Sequence, residues 1–65
     1  MTPKQRLFVH EYLVDLNATQ AAVRAGYSIR TANEQAVRLM RQPAIATAIQ
    51  TAMDARAEAI RLKAE

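Results

Sequence analysis

A single glycine interrupts a segment of this chain that is otherwise rich in helix-forming alanine. Gly26 is the only glycine in 65 residues. Glycine readily adopts the left-handed backbone that other residues resist, and it is common just beyond the end of a helix. Asn17 and Ser28 are both helix-capping residue types, so one short helix is expected before Gly26 and another directly after it. The sequence therefore predicts two helices joined by a tight turn, the plan of a helix-turn-helix.

Prolines and capping residues also place the other helix ends. The tetrapeptide TPKQ at 2–5 has the residue types and spacing of a capping box with proline at the first helical position. Asn17 and Gln20 show the same three-residue spacing, which predicts a second capping box. Gln42-Pro43 stops the third helix, 28–41, because proline disfavours helix at the residue before it. A fourth helix then runs from Pro43 towards the end.

Apolar residues recur every three or four positions in each predicted helix, which indicates one buried face per helix. The candidate core residues are Phe8, Val9, Tyr12, Leu13 and Leu16; then Ala18, Ala21, Ala22 and Ala25; then Ile29, Ala32, Ala36, Leu39 and Met40. The fourth helix carries an apolar stripe of Ile45, Ile49, Met53 and Ile60, which begins in the core. We predict an all-α, small helix-turn-helix domain of about four helices, with a long last helix that extends from it. A domain this small leaves the far end of that helix uncovered, so Ile49, Met53 and Ile60 are predicted to form a subunit interface.

Positive charge is concentrated in the middle of the chain. The formal net charge is +3. Acidic and basic residues balance in 1–16 and in 43–65, whereas the segment between them carries Arg24, Arg30, Arg38 and Arg41 against Glu34 alone. An excess of arginine confined to the glycine-interrupted segment predicts an anionic partner there, with nucleic acid as the first candidate.

Several function classes lack the residues that they need. The chain contains no cysteine and a single histidine, His10, which has no partner at metal-ligand or triad spacing. One glycine cannot build a phosphate-binding loop, and no apolar run approaches the roughly 20 residues of a membrane span. We therefore expect a cytoplasmic protein that is not an enzyme, binds no metal or cofactor and has no membrane partner.

The helix-turn-helix interpretation assigns a role to each residue type around the turn. Ala22 is small enough to lie where the two helices cross, Gly26 supplies the turn, and Tyr27 fills the core beside Ser28, the predicted cap of the recognition helix. Arg30 and Arg38 are predicted to contact phosphates or bases, with Glu34 orienting them at i, i+4 spacing. The full predicted DNA-binding set is Arg24, Ser28, Ile29, Arg30, Thr31, Asn33, Glu34, Arg38 and Arg41, with Val37 on the same face. Arg24 and Arg41 would contact phosphate, and Asn33 would read adenine.

Two resemblances support this interpretation. AAVRAGYSIRTANE, which begins at Ala21, resembles the pattern shared by many DNA-binding helix-turn-helix segments, except that Gln35 stands where an aliphatic residue is usual and Ala36 could take that role. On a larger scale, residues 2 to about 50 resemble the N-terminal domain of phage terminase small subunits. The residues that carry the larger resemblance are TPKQ at 2–5, Phe8 and Tyr12, NAT at 17–19, Ala21-Ala22, AGYS at 25–28, Arg38-Leu39, and Pro43 with Ile45.

The resemblance to terminase small subunits implies a specific biological role. Such a subunit recognises viral DNA for genome packaging, assembles into a homo-oligomeric ring, and delivers double-stranded DNA to a large subunit that carries the ATPase and nuclease. Family members usually continue into a central oligomerisation region and a tail that contacts the large subunit. The implied organisation is a DNA-binding domain over 1–42 and a C-terminal helix over 43–65 that leads to an oligomerisation region missing from this chain.

Two other functions are compatible with the same residues. A helix-turn-helix transcriptional or transposition regulator would use the same motif to bind an operator as a dimer. A helical adaptor that binds only protein, without binding DNA, would use the same fold with an incidental basic face, because folds of this kind serve many functions.

Overall fold

The computed structural model describes the backbone of residues 1–64 and the side chains of residues 1–61. It contains α1 (Pro3–Asp15), α2 (Ala18–Arg24), α3 (Ala32–Arg41) and α4 (Pro43–Ala64), and no strand within the described backbone. The predicted all-α fold of four helices is confirmed. Within residues 1–64, no helix combines the length and the apolar character that crossing a bilayer would require.

The start of α1 follows the sequence prediction, and its end does not. Thr2 Oγ1 accepts a hydrogen bond from the Gln5 amide at 3.1 Å, and Gln5 Oε1 accepts one from the Thr2 amide at 3.0 Å. The capping box is therefore confirmed. At the other end, Leu16 adopts a left-handed backbone with φ +58°, and its amide donates to the carbonyl of Tyr12. Its side chain is exposed, so the prediction that Leu16 joins the core is wrong: the reversed backbone turns it away from the buried face.

Helix α2 is capped by Asn17, whose Oδ1 accepts a hydrogen bond from the Gln20 amide at 3.1 Å. The second capping box is nevertheless wrong, because the Asn17 amide donates to Asp15 Oδ1 at 3.1 Å instead of to Gln20. The helix ends as predicted at the glycine turn, where Gly26 has φ +101°. The position of the turn is thus confirmed at the backbone level.

The core lies between α1, α2, α3 and the first part of α4. Phe8 and Ile45 are its largest fully buried side chains, and Ala22 is also fully buried. The remaining buried members are Val9, Ala21, Ala25, Ala32, Ala36, Leu39 and Ile49, with Tyr12, Leu13, Ala18, Val23, Tyr27, Met40, Ala48 and Met53 partly buried against them. Ala36 fills the buried position that Gln35 does not, because Gln35 lies at the edge of the core.

Helix α4 belongs in part to the same folded unit as residues 1–42. Ile45 is 0% exposed and Ile49 is 7% exposed, so the core includes about the first two turns of α4. The prediction that Ile49 lies at a subunit interface is wrong, because its side chain is already covered by this domain. Met53 is partly buried against the core, and Ile60 is 69% exposed.

The third helix begins four residues later than predicted. Residues 28–31 form a turn in which the Thr31 amide donates to the Ser28 carbonyl at 3.1 Å and the Arg30 amide donates to Ser28 Oγ at 3.3 Å. Thr31, not Ser28, occupies the N-cap position of α3, without a capping hydrogen bond from its side chain. Ser28 closes a local turn with its own hydroxyl, which competes with a helix start. Ile29 lies in this turn and is 79% exposed, so its predicted place in the core is wrong.

Replacing Gly26 with alanine is expected to lower the free energy of unfolding by about 1–2 kcal/mol, or roughly 4–15 °C in Tm. An added Cβ would lie 3.6 Å from Cε of Lys4, an ordinary contact, so the cost comes from φ +101° and not from a clash. Gly26→Asn should lower the free energy of unfolding by a smaller amount, because asparagine tolerates positive φ better than alanine. Thermal unfolding of both variants by circular dichroism checks this prediction, and an unchanged Tm for Gly26→Ala would contradict it.

Candidate nucleic-acid interface

Helix α3 buries one face and exposes the other. Ala32, Ala36 and Leu39 face the core. The exposed face consists of Asn33, Glu34, Val37, Arg38 and Arg41. Every residue of α3 that the sequence predicted as a DNA contact is therefore on the accessible side of the helix. Whether these residues contact DNA remains a prediction.

The turn at 28–31 holds the other predicted contacts next to the first turn of α3. Ser28, Ile29 and Arg30 are exposed and Thr31 is half-buried. Because Arg30 lies in this turn, it does not have the i, i+4 helical relationship through which Glu34 was predicted to orient it. Arg30, Glu34 and Arg38 form no ion pair with any of the side chains described. The predicted i, i+4 arrangement of Arg30 with Glu34 is therefore wrong, whereas Glu34 and Arg38 keep that spacing within α3.

Arg24 lies in an ion-pair cluster between α2 and α1. Its Nε is 2.7 Å from Glu11 Oε1 and its Nη2 is 3.1 Å from Asp15 Oδ1. Its Nη2 also donates to the Glu11 carbonyl at 3.0 Å. The hydrogen bond from Arg24, followed by that from the Asn17 amide, lowers the pKa of Asp15 below its ordinary value. Hydrogen bonds to Asp15 and Glu11 raise the pKa of Arg24.

This cluster changes the interpretation of Arg24. The sequence predicted a phosphate contact, but the guanidinium is engaged by two carboxylates and a carbonyl, and its charge is balanced where it lies. Arg24 therefore holds α2 against α1 and is not among the proposed DNA contacts. The sequence shows that Glu11 and Asp15 are one helical turn apart on α1, but their spacing does not identify Arg24 as the partner.

With Arg24 neutralised, the remaining charge of the middle segment lies on one surface. Arg30 extends from the turn, and Arg38 and Arg41 lie on the exposed face of α3. Glu34 is the one acidic residue between 16 and 53. We call the exposed residues of 28–41 the basic face; it carries three arginines against one glutamate.

A shallow groove of about 300 Å³ runs between α2 and α3 at the edge of the basic face. Its lining residues are Ala18, Thr19, Asn33, Ala36, Val37, Met40 and Arg41. Thr19 Oγ1 donates a hydrogen bond to Asn33 Oδ1 at 3.3 Å across the groove. Sequence reasoning did not identify Thr19 as part of this surface, because the alanine pattern marks the buried face of α2 but does not show which residue of α3 lies beside Thr19.

Contacts from α1 hold the turn at 28–31 and the end of α3 in place. The ammonium nitrogen of Lys4 lies 4.5 Å from the centroid of the Tyr27 ring, a cation–π contact. Gln5 Nε2 donates to Gln42 Oε1 at 3.3 Å, which joins the start of α1 to the junction between α3 and α4. Tyr27 is partly buried against the core, as predicted. The basic face is thus supported from behind by α1.

Known proteins with similar sequences share one description. The family model described as terminase small subunit matches residues 1–65. Over 46 residues, covering 69% of this chain, the sequence is 44% identical to the terminase small subunits of Bacillus phage SF6 and Bacillus phage rho15. Over 50 residues, covering 75% of this chain, it is 42% identical to the terminase small subunit of Bacillus phage SPP1.

The matched region is a fraction of each relative. It covers 32% of the SF6 and rho15 proteins and 34% of the SPP1 protein, so the chain spans about a third of the length of the curated relatives it matches. The family model, by contrast, extends over the whole of this chain. The resemblance predicted from the sequence is therefore confirmed, and the chain belongs to the terminase small subunit family of bacteriophages.

Proposed function

We propose that this chain binds double-stranded DNA through its basic face, as the DNA-recognising part of a phage terminase small subunit. The observation that carries the proposal is the charge of that face: Arg30, Arg38 and Arg41 are exposed together, whereas Arg24 is paired elsewhere. Genome packaging is the role that the family name implies, and the viral DNA is then the ligand. Phosphate contacts of this kind supply much of the affinity of DNA-binding proteins.

The dimensions of α3 suit the major groove. Ten residues give a helix of about 15 Å, and a groove about 12 Å wide admits one α-helix. In this docking, Arg38 and Arg41 contact phosphates, and Arg30 contacts a phosphate or base beside the N-terminus of α3. Ser28, Ile29 and Thr31 approach the DNA at the turn, while Asn33 and Glu34 lie over base edges.

We further propose that the distal part of α4 contacts neighbouring subunits in a ring. Residues 54–64 continue the helix for about 16 Å past Met53, the last residue packed against the core, and they include the exposed Ile60. A ring strengthens weak binding by each subunit through multivalency. In this proposal the chain is a non-catalytic subunit acting in the host cytoplasm, and segments outside it hand the DNA to the large subunit with its ATPase and nuclease.

Exchanging Arg38 and Arg41 for glutamine tests the DNA-binding proposal. We expect the affinity for a mixed-sequence duplex to fall. We also expect the slope of log K against log salt concentration to become shallower by about 2, because each phosphate contact contributes about 0.9 to that slope. Fluorescence anisotropy at several salt concentrations gives both quantities. Chemical-shift changes on adding DNA are expected in 28–41.

The matched control is the double substitution Arg56→Gln with Arg61→Gln, which removes the same formal charge from exposed positions on distal α4. It should leave the salt slope close to that of the unmodified chain. If both double variants lost DNA affinity equally, net charge and not the basic face would determine binding. No DNA-dependent shift in 28–41 would favour the protein-binding adaptor, and tight binding to one operator as a dimer would favour the regulator.

A further inference from the structure

We infer that the groove between α2 and α3 reads an A·T base pair, with Asn33 contacting adenine, Val37 contacting the thymine methyl group, and Thr19 positioning Asn33. The inference rests on the proposed function, since it specifies what the basic face recognises once DNA is bound. It adds base preference to a surface whose arginines, as phosphate contacts, carry no sequence information.

The positions of Asn33 and Val37 suit a single base pair. They are four residues apart on α3, so they are neighbours on one face, and both are exposed. In the major groove adenine presents an acceptor and a donor, and thymine presents an acceptor and a methyl group. A side-chain amide pairs with the first pattern, and an aliphatic side chain contacts the methyl group. Asn33 and Val37 supply these two chemistries side by side.

Thr19 gives the amide of Asn33 a defined orientation. Its hydroxyl donates to Asn33 Oδ1 at 3.3 Å, and Thr19 itself is half-buried on α2. A carbonyl oxygen has two lone pairs, so Oδ1 can accept a second hydrogen bond from N6 of adenine while Nδ2 donates to N7. This hydrogen bond favours an amide rotation that can bind adenine, and so it reduces the side-chain freedom that Asn33 loses on binding. Thr19 is therefore a positioning residue.

The lining of the groove disfavours other base pairs. Ala18, Ala36 and Met40 line it beside Val37, and they present no hydrogen-bonding side-chain groups. A thymine methyl group makes no hydrogen bonds to water, so it gives up none when it enters such a space. The amino group of cytosine would lose hydrogen bonds to water on the apolar side of the groove beside Val37, where Ala18, Ala36 and Met40 offer no oxygen acceptor, and an unsatisfied polar group is costly. The groove therefore selects for thymine partly by penalising cytosine.

Three duplexes of equal length test the inference whatever the natural binding site is: alternating A·T, alternating A·U and alternating G·C. The A·T and A·U duplexes differ in the base only by the C5 methyl group. We expect the A·T duplex to bind about fourfold more tightly than A·U, the value of one buried methyl group, and at least about fivefold more tightly than G·C, the value of a bidentate contact. Anisotropy titrations at one fixed salt concentration measure all three affinities.

Matched variants separate the three roles. Val37→Ala should bring the A·T to A·U ratio close to one, and Asn33→Ala should reduce the A·T to G·C ratio. Thr19→Val keeps the shape of the side chain but removes its hydroxyl, so it should also reduce the A·T to G·C ratio, whereas Thr19→Ser should preserve it. The salt slope should stay unchanged in all four variants, because none of them removes a phosphate contact.

The outcomes distinguish this inference from the proposed function. Equal binding to A·T and A·U by the unmodified chain, or a ratio that Val37→Ala leaves unchanged, would overturn the base-reading role while the dependence on Arg38 and Arg41 stands. If the Asn33→Ala variant still preferred the A·T duplex over G·C, the base-reading role of Asn33 would also be overturned. Failure to bind any of the three duplexes would overturn the DNA-binding proposal itself, and this inference with it.

Discussion

Phe8→Ala is expected to unfold most of the protein at physiological temperature. Phe8 is 0% exposed and is one of the two largest fully buried side chains. Its truncation removes the aromatic ring from a core in which five of the ten buried side chains are alanine, at a cost of about 3–5 kcal/mol. A domain of this size rarely has more than about 3–5 kcal/mol of stability in total. The far-ultraviolet circular dichroism signal should therefore show largely lost helix at 37 °C.

Val14→Ala is the matched control for this result. Val14 lies on the same helix and is 73% exposed, so its truncation should change the free energy of unfolding by no more than about 0.5 kcal/mol. Urea denaturation of both variants measures the difference. If Phe8→Ala were as stable as Val14→Ala, the core would not be centred where the four helices meet.

Ile45→Ala is expected to destabilise the domain by about 2–5 kcal/mol. Ile45 is 0% exposed and lies in the first turn of the helix that the sequence assigned to a separate unit. If the first turns of α4 belong to the same cooperative unit as α1, α2 and α3, the whole domain should lose stability in a single transition. Urea unfolding followed by circular dichroism and by the Tyr12 and Tyr27 fluorescence should then give coincident curves.

Ile60→Ala tests the other half of the same helix. Ile60 is 69% exposed, so its truncation should leave monomer stability within about 0.5 kcal/mol of the unmodified chain. If Ile60→Ala lost much stability and Ile45→Ala lost little, the stabilising contacts of α4 would lie at its distal end. That result would contradict the burial of Ile45 in the core.

Helix boundaries that depend on a few neighbouring residues were predictable. The capping box at Thr2 and Gln5, the cap at Asn17, the turn at Gly26 and the stop before Pro43 all lie where their residue types indicated. Each depends on backbone sterics or on a hydrogen bond across three residues, so no distant contact was needed. The exception is Ser28, where the same hydroxyl can cap a helix or close a turn, and the sequence does not distinguish the two.

The candidate site was predictable in composition but not in arrangement. Positive charge in the middle segment is a property of the sequence, and the exposed face of α3 follows from its periodicity. Arg24 pairs with Glu11 and Asp15 because α2 packs on α1. This packing brings residues together that are distant along the chain, so the sequence did not show it. The groove and the Thr19–Asn33 hydrogen bond have the same origin.

The sequence by itself determined that this chain is a four-helix, all-α protein with a glycine turn and a basic middle segment, and its motifs identified the family. Local sterics, short-range hydrogen bonds and residue charge act within a few positions, so they can be read along the chain. Only the tertiary structure decided that Ile49 packs in the core and not at a subunit interface, that Ile29 and Leu16 are exposed, and that Arg24 holds two helices together. These features depend on which helix faces pack against each other, and that is set by packing across the whole domain.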